Sequence, residues 1–134
     1  MLAWTEKLEL GIELIDNQHK DIFEHINKLL EAFDAGVEQE EAYEMLCFLE
    51  QYTHKHFSTE EFYFEKYNYK DLKSHVQLHR AFSKQLEDYK ISHRRAGITK
   101  QAAMEIGELL IAWWYNHIIN TDSKYVSDIG EKIN

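Results

Sequence analysis

At 134 residues the chain has room for one core and none for separate cofactor and substrate lobes, and its 44% hydrophobic content excludes a disordered chain. A net charge of −9, with Arg94-Arg95 as the one basic cluster, excludes nucleic acid and anionic lipid as natural partners. A lone Cys47, expected simply to pack, excludes internal disulfides and thiolate metal clusters, while eight histidines in a chain with five glycines and no proline call for a reason.

The apolar positions recur at three and four, so the expectation is an all-α chain folded as one domain over 1–134. The first fifteen or so residues, with Leu8, Leu10, Ile12 and Leu14 alternating, are read as an extended arm packed along a bundle. A first helix is expected over about 17–35, capped by Asp16 or Asn17, with His19, Ile22, Phe23, Ile26, Leu30 and Phe33 on its inner face and Gly36 as its stop. The second runs roughly 39–66 on Ala42, Met45, Leu46, Leu49, Tyr52, Thr53, His56, Glu60, Tyr63, Phe64 and Tyr67, ending before the turn-prone Asn68. The third spans about 71–92 on Leu72, His75, Val76, His79, Phe82, Leu86 and Tyr89. The fourth begins near Thr99 and lines up Ala102, Ile106, Leu109, Leu110, Trp113 and His117, until Asn120-Thr121-Asp122 interrupts it and caps a short C-terminal helix. Short connections make these an antiparallel up-down-up-down four-helix bundle. No apolar run approaches the ~20 residues that a bilayer demands, and the opening residues lack an export signal, so a soluble cytoplasmic protein is expected.

Five histidines and two carboxylates fall where the apolar period assigns the core: His19, His56, Glu60, His75, His79 and His117, with Asp122 just beyond. Any one of them alone reads as a core residue with its own hydrogen bond, but seven need shared partners. Residues four apart share a helix face, so His56 with Glu60 and His75 with His79 each point two ligands at one place. The remaining histidines act as an internal control: His25 and His54 lie off these faces and His93 falls in a polar connection, so all three are expected in solvent. Seven ligands overfill a tetrahedral zinc, which implies two metals. With no thiolate in the set, iron is favoured, with copper, zinc and manganese as competitors. No Glu is followed by His at i+3, which argues against the ferritin-like carboxylate bundles, and His-Glu-x-x-His is missing as well. If both ions are six-coordinate and Glu60, Asp122 and an oxo or hydroxo group bridge them, one position stays open for a small ligand. His117 and Asp122 are five apart, roughly 140° off one face of an α-helix, so the helix must distort or end between them.

Taken together, Trp4, Gly11-Ile12, the stretch Ile15-Asp16-Asn17-Gln18-His19-Lys20, His56-Phe57 with Glu60-Glu61, His75 and His79 with Phe82, and Trp113 through His117-Ile118 to Asp122 and Tyr125 resemble the hemerythrin family in its stand-alone bacterial type. The likeness covers nearly the whole chain. It implies one iron on His75, His79 and His117, a second on His19 and His56, and Glu60 and Asp122 bridging. It further implies dioxygen bound end-on at the second iron, one electron from each ferrous ion, and release by reversal. Phe57, Trp113 and Ile119 resemble the family's oxygen-pocket residues, and Tyr125 is read as packing. Three departures stand out: Lys70 where Pro is frequent, Phe64 where Met is frequent, and Trp114 where an aliphatic residue is common. The tandem tryptophans are read as narrowing the route to the irons or, with Trp114 exposed, as facing another chain.

The functional expectation is reversible dioxygen binding for carriage, storage or delivery to an oxygen-consuming enzyme, by a monomer or small homo-oligomer with no catalytic acid or base. The alternatives are a di-iron oxidase or peroxidase on the same ligands, and a sensor of oxygen, nitric oxide or iron acting through a separate partner.

Overall fold

The computed structural model describes residues 2–134 and is all-helical among them. Its helices are α1 (Glu13–Ala35), α2 (Gln39–Lys66), α3 (Leu72–Ala96), α4 (Lys100–Asn116) and α5 (Ser123–Ile133), and a π-helical turn, His117–Asp122, joins the last two without a break. Connections 36–38, 67–71 and 97–99 are too short for anything but antiparallel neighbours, and α1 to α4 form the expected bundle. Among the described residues no helix is long and apolar enough to cross a membrane.

Helix ends follow local chemistry. Gly36 stops α1 at φ 67°, a left-handed conformation, with its N–H on the carbonyls of Ala32 and Phe33. Asn68, at φ 52°, turns the chain after α2. Thr99 caps α4, its hydroxyl accepting the Ala102 N–H at 3.1 Å. The connection before α4 is clamped by Gln39, whose side-chain amide donates to the Ile98 carbonyl at 3.0 Å and accepts the Ile98 N–H.

Several local expectations are corrected. Helix α1 starts at Glu13, so neither Asp16 nor Asn17 caps it. The Asp16 carboxylate instead accepts the N–H groups of Leu10 and Gly11 at 2.9 and 3.0 Å, because the arm's unpaired amides reach it first. The arm is extended apart from a 3₁₀ turn at Glu6–Leu8, and it is pinned at its start by reciprocal bonds between the Leu2 backbone and the Asn27 amide. Helix α3 continues to Ala96, which places His93 on its last turn, buried and stacked on Tyr89, rather than in a solvated connection. His25 is half-buried against Phe48 and Tyr52, while His54 is exposed as expected.

The core has two parts. A main cluster runs along the bundle through Ile22, Ile26, Leu46, Leu49, Phe82, Leu86, Ile106, Leu110 and Trp114, and a smaller one gathers Ile12, Ile15, Phe64, Tyr69, Tyr125 and Ile129. The polar cluster sits where they meet, with Trp114 and Phe57 on one side and Phe64 and Tyr125 on the other.

Candidate metal centre

All seven residues singled out by the apolar period are buried and converge. His19 comes from α1, His56 and Glu60 from one face of α2, His75 and His79 from one face of α3, and His117 and Asp122 from the two ends of the π turn. That turn resolves the conflict of spacing. Its i→i+5 hydrogen bonding widens the helix, so a residue five positions on returns toward the same side. His117 Nε2 and Asp122 Oδ1 are thereby 3.1 Å apart. Distortion, not termination, is the solution: Asn120-Thr121 neither ends the helix nor supplies a cap, and the Ser123 hydroxyl donates to the Ile119 carbonyl at 2.7 Å.

The donor atoms fall into two groups that share both carboxylates. One holds Glu60, His75, His79, His117 and Asp122, the other His19, His56, Glu60 and Asp122, and within each the donors lie within 4.8 Å of one another. In the first group, Nε2 of His75, Nε2 of His117 and Oδ1 of Asp122 form a near-equilateral triangle with sides of 3.2, 3.1 and 3.1 Å. Neighbouring ligands on an octahedral ion with bonds of ~2.1 Å stand roughly 3.0 Å apart, so this triangle has the size of one octahedral face. Asp122 turns its other oxygen to His19 Nε2 at 3.2 Å, while Glu60 Oε1 lies 3.3 Å from both His56 and His79.

Apart from the pair of His75 and His117, these approaches leave the atoms without hydrogen bonds. Nε2 of His19, His56 and His79 and all four oxygens of Glu60 and Asp122 are buried with no hydrogen-bond partner among the described residues. Two fully buried carboxylates facing five imidazoles in this way are costly to leave unpaired, and cations held between them are the chemistry the arrangement fits.

Outer contacts orient the rings. His56 Nδ1 donates to the Gln18 Oε1 at 2.7 Å and His79 Nδ1 to the Glu61 carboxylate at 2.8 Å, which turns the Nε2 of each inward. Burial works against a charge on His79, but the carboxylates of Glu60 and Glu61 outweigh it and push this imidazole up to about 9. His56 is shifted the other way, below the ordinary histidine range, chiefly by burial. Burial and the negative charge of Asp122 act to raise Glu60, yet His56 and His79 hold it below the usual carboxylate range. Asp122, opposed by burial too, is held well below that range by His117, His19 and His75.

The apolar surround is aromatic. Phe57 stacks on His79 at 3.8 Å and Trp113 on His117 at 4.2 Å, whereas Ile119 is half-buried in the π turn and packs on the main core. Trp114 is completely buried between His19, His56 and Phe57, which excludes the alternative that it is exposed and faces another chain; Trp113 is the partly exposed member of the pair. Tyr125 does pack, against Phe64, Tyr69 and His75, and burial together with the charges of Glu60 and Asp122 keeps its phenol protonated well above the ordinary range. Reading the sequence missed Gln18 and Glu61 as hydrogen-bond partners of the centre. Each is adjacent in sequence to a residue it singled out, but Gln18 and Glu61 act on histidines of other helices, which only the packing reveals.

Fold and site define a helical bundle with an interior histidine and carboxylate metal centre. The model of the Hemerythrin HHE cation binding domain matches residues 10–129. Similar proteins include a bacteriohemerythrin of Pseudomonas aeruginosa, 35% identical over 132 residues that cover 96% of this chain and 81% of the relative. A bacteriohemerythrin of Clostridium acetobutylicum is 30% identical over 129 residues, covering 94% and 99%, and a myohemerythrin of Theromyzon tessulatum is 29% identical over 122 residues, covering 91% and 88%. The chain belongs to the hemerythrin family, whose model describes a cation binding domain.

Proposed function

We propose that the centre holds two iron ions, oxo- or hydroxo-bridged when oxidised, and binds dioxygen reversibly. The observation that carries this reading is the division of the buried donors into a five-membered and a four-membered group with Glu60 and Asp122 common to both. Mixed imidazole and carboxylate ligation without thiolate suits iron, and family membership supports the same choice. In this reading His75, His79 and His117 hold one ion, His19 and His56 the other, and the two carboxylates bridge. Two ferrous ions so placed would supply one electron each to dioxygen.

The rest is the work of the chain. The smaller donor group leaves the more open coordination, so the small ligand enters beside His19 and His56. Gln18 and Glu61 fix the tautomers that keep Nε2 of His56 and His79 available. Phe57, Trp113 and Ile119 form an apolar wall that excludes water and anions, the reagents that drive oxidation of such a site. The protein acts as a single cytoplasmic domain, alone or as a small homo-oligomer, and carries oxygen to a separate consumer.

The test is the iron count and optical spectrum of iron-loaded protein, reduced without air, exposed to dioxygen and then purged. Two irons per chain and a charge-transfer band that purging removes are expected. A band that decays to an oxidised form which purging does not reverse would overturn reversible binding in favour of an oxidase.

A further inference from the structure

Trp114 introduces a fully buried, unpartnered hydrogen-bond donor beside the wall of Phe57, Trp113 and Ile119. Its ring lies 6.2 Å from His19 and 5.9 Å from His56, centroid to centroid, and 5.7 Å from Phe57. It therefore flanks the two imidazoles of the smaller donor group, while its neighbour Trp113 stacks on His117 of the larger one. The residue is fully buried, and its indole N–H has no acceptor among the described residues. A buried indole N–H normally finds a partner. An aliphatic side chain at this position would fill the wall without introducing a donor that needs one.

We propose that Trp114 is a ligand-positioning residue whose indole N–H donates a hydrogen bond to the small ligand seated beside His19 and His56. The inference rests on the di-iron reading above. It gives the centre a preference for ligands that carry an acceptor lone pair, dioxygen and azide among them, and slows their departure. The indole ring stands beside His19 and His56, on the side where the protein supplies fewer ligands and a small molecule has room.

Azide on the oxidised, iron-loaded protein is the probe. Trp114→Phe keeps an aromatic ring in the wall and removes the N–H together with part of the indole, so the deuterium shift, which reports the hydrogen bond and not the lost volume, is read beside the affinity. The variant is expected to retain two irons per chain and the native helix content, to bind azide on the order of three- to tenfold more weakly, and to lose the solvent-deuterium shift of the bound azide stretch. In the wild type, ultraviolet resonance Raman should show the Trp114 indole N–H band moving toward its hydrogen-bonded position when azide is added, a change that a purely space-filling tryptophan would not produce. Unchanged azide affinity with the deuterium shift intact in Trp114→Phe, or an indole band indifferent to azide, would overturn the proposal while leaving the di-iron reading in place. Wild-type protein that takes up no iron pair, or no azide, would instead overturn the di-iron reading and this inference with it.

Discussion

Glu60 and Asp122 are the residues on which the centre turns, because each lies in both donor groups while each of the five histidines of the centre lies in one. The histidines are therefore unequal to their relatives elsewhere in the chain. Replacing His75 or His79 by Ala is expected to lower iron content toward one per chain or less, whereas His54→Ala, at an exposed position on the same helix as His56, should leave it unchanged. Metal analysis of the purified variants decides this. Gln18 and Glu61 act on the rings rather than on the ions. Gln18→Leu and Glu61→Ala are expected to weaken iron binding by about ten- to a hundredfold, read by competition with a chelator. Proton balance gives a third expectation. With its carboxylate neighbours, His79 is pushed up from 6.5 to about 9, so in the metal-free chain it carries a proton at neutral pH. A raised histidine stabilises the fold below its ordinary range, and that contribution is lost as pH climbs through about 9. The lowered carboxylates of Glu60 and Asp122 contribute above their ordinary range and lose that contribution as pH falls. Iron must displace the proton on His79, so uptake should release roughly one proton from it at pH 7 and strengthen as pH rises toward 9. A pH indicator in weakly buffered, air-free protein reads that release.

At the scale of elements, the π turn and the arm decide how the centre is built. Periodicity exposed the problem at His117 and Asp122, since five positions do not return to one face of an α-helix, but it did not choose between a break and a widened turn. The choice lies with the packing of α5, whose Tyr125 and Ile129 must reach the smaller core cluster. The arm is tied by Asp16, whose pKa burial raises while the Leu10 and Gly11 amides counter that rise. Asp16→Ala should cost on the order of 2 kcal/mol through these two charge-assisted bonds, and hydrogen exchange should show the first dozen residues losing protection before the helices do. Gly36→Ala is a cleaner element-scale test: a Cβ there meets nothing within 4 Å, so its cost of about 1 kcal/mol in denaturant unfolding comes from the left-handed backbone alone.

For the molecule as a whole, the metal centre sits between two apolar clusters and replaces what would otherwise be a continuous core. A bundle whose middle layer is seven buried polar side chains depends on what fills it. Iron bound at about a thousand times its dissociation constant adds roughly 4 kcal/mol of stability, so stripping it with a chelator should lower Tm on the order of 10 °C or more, measured calorimetrically. A metal-free chain that melts at the same temperature would show that the histidines and carboxylates satisfy one another unaided.

The sequence by itself determined the helical class, the stop at Gly36, the span of α2, the start of α4 near Thr99 and the seven inward residues, because these follow from local backbone preference and from the period at which apolar and ligating side chains recur. It also carried enough of a pattern to resemble the hemerythrin family. Tertiary structure alone decided that Asp16 ties down the arm, that His93 is buried, that Trp114 faces the interior, that the chain widens instead of breaking at 117–122, and that Gln18 and Glu61 serve histidines on neighbouring helices. The division has one physical cause. A helix fixes which side chains share a face within about a turn, whereas what a face meets depends on the rotation and depth at which separate helices pack, and that is set by the whole core at once.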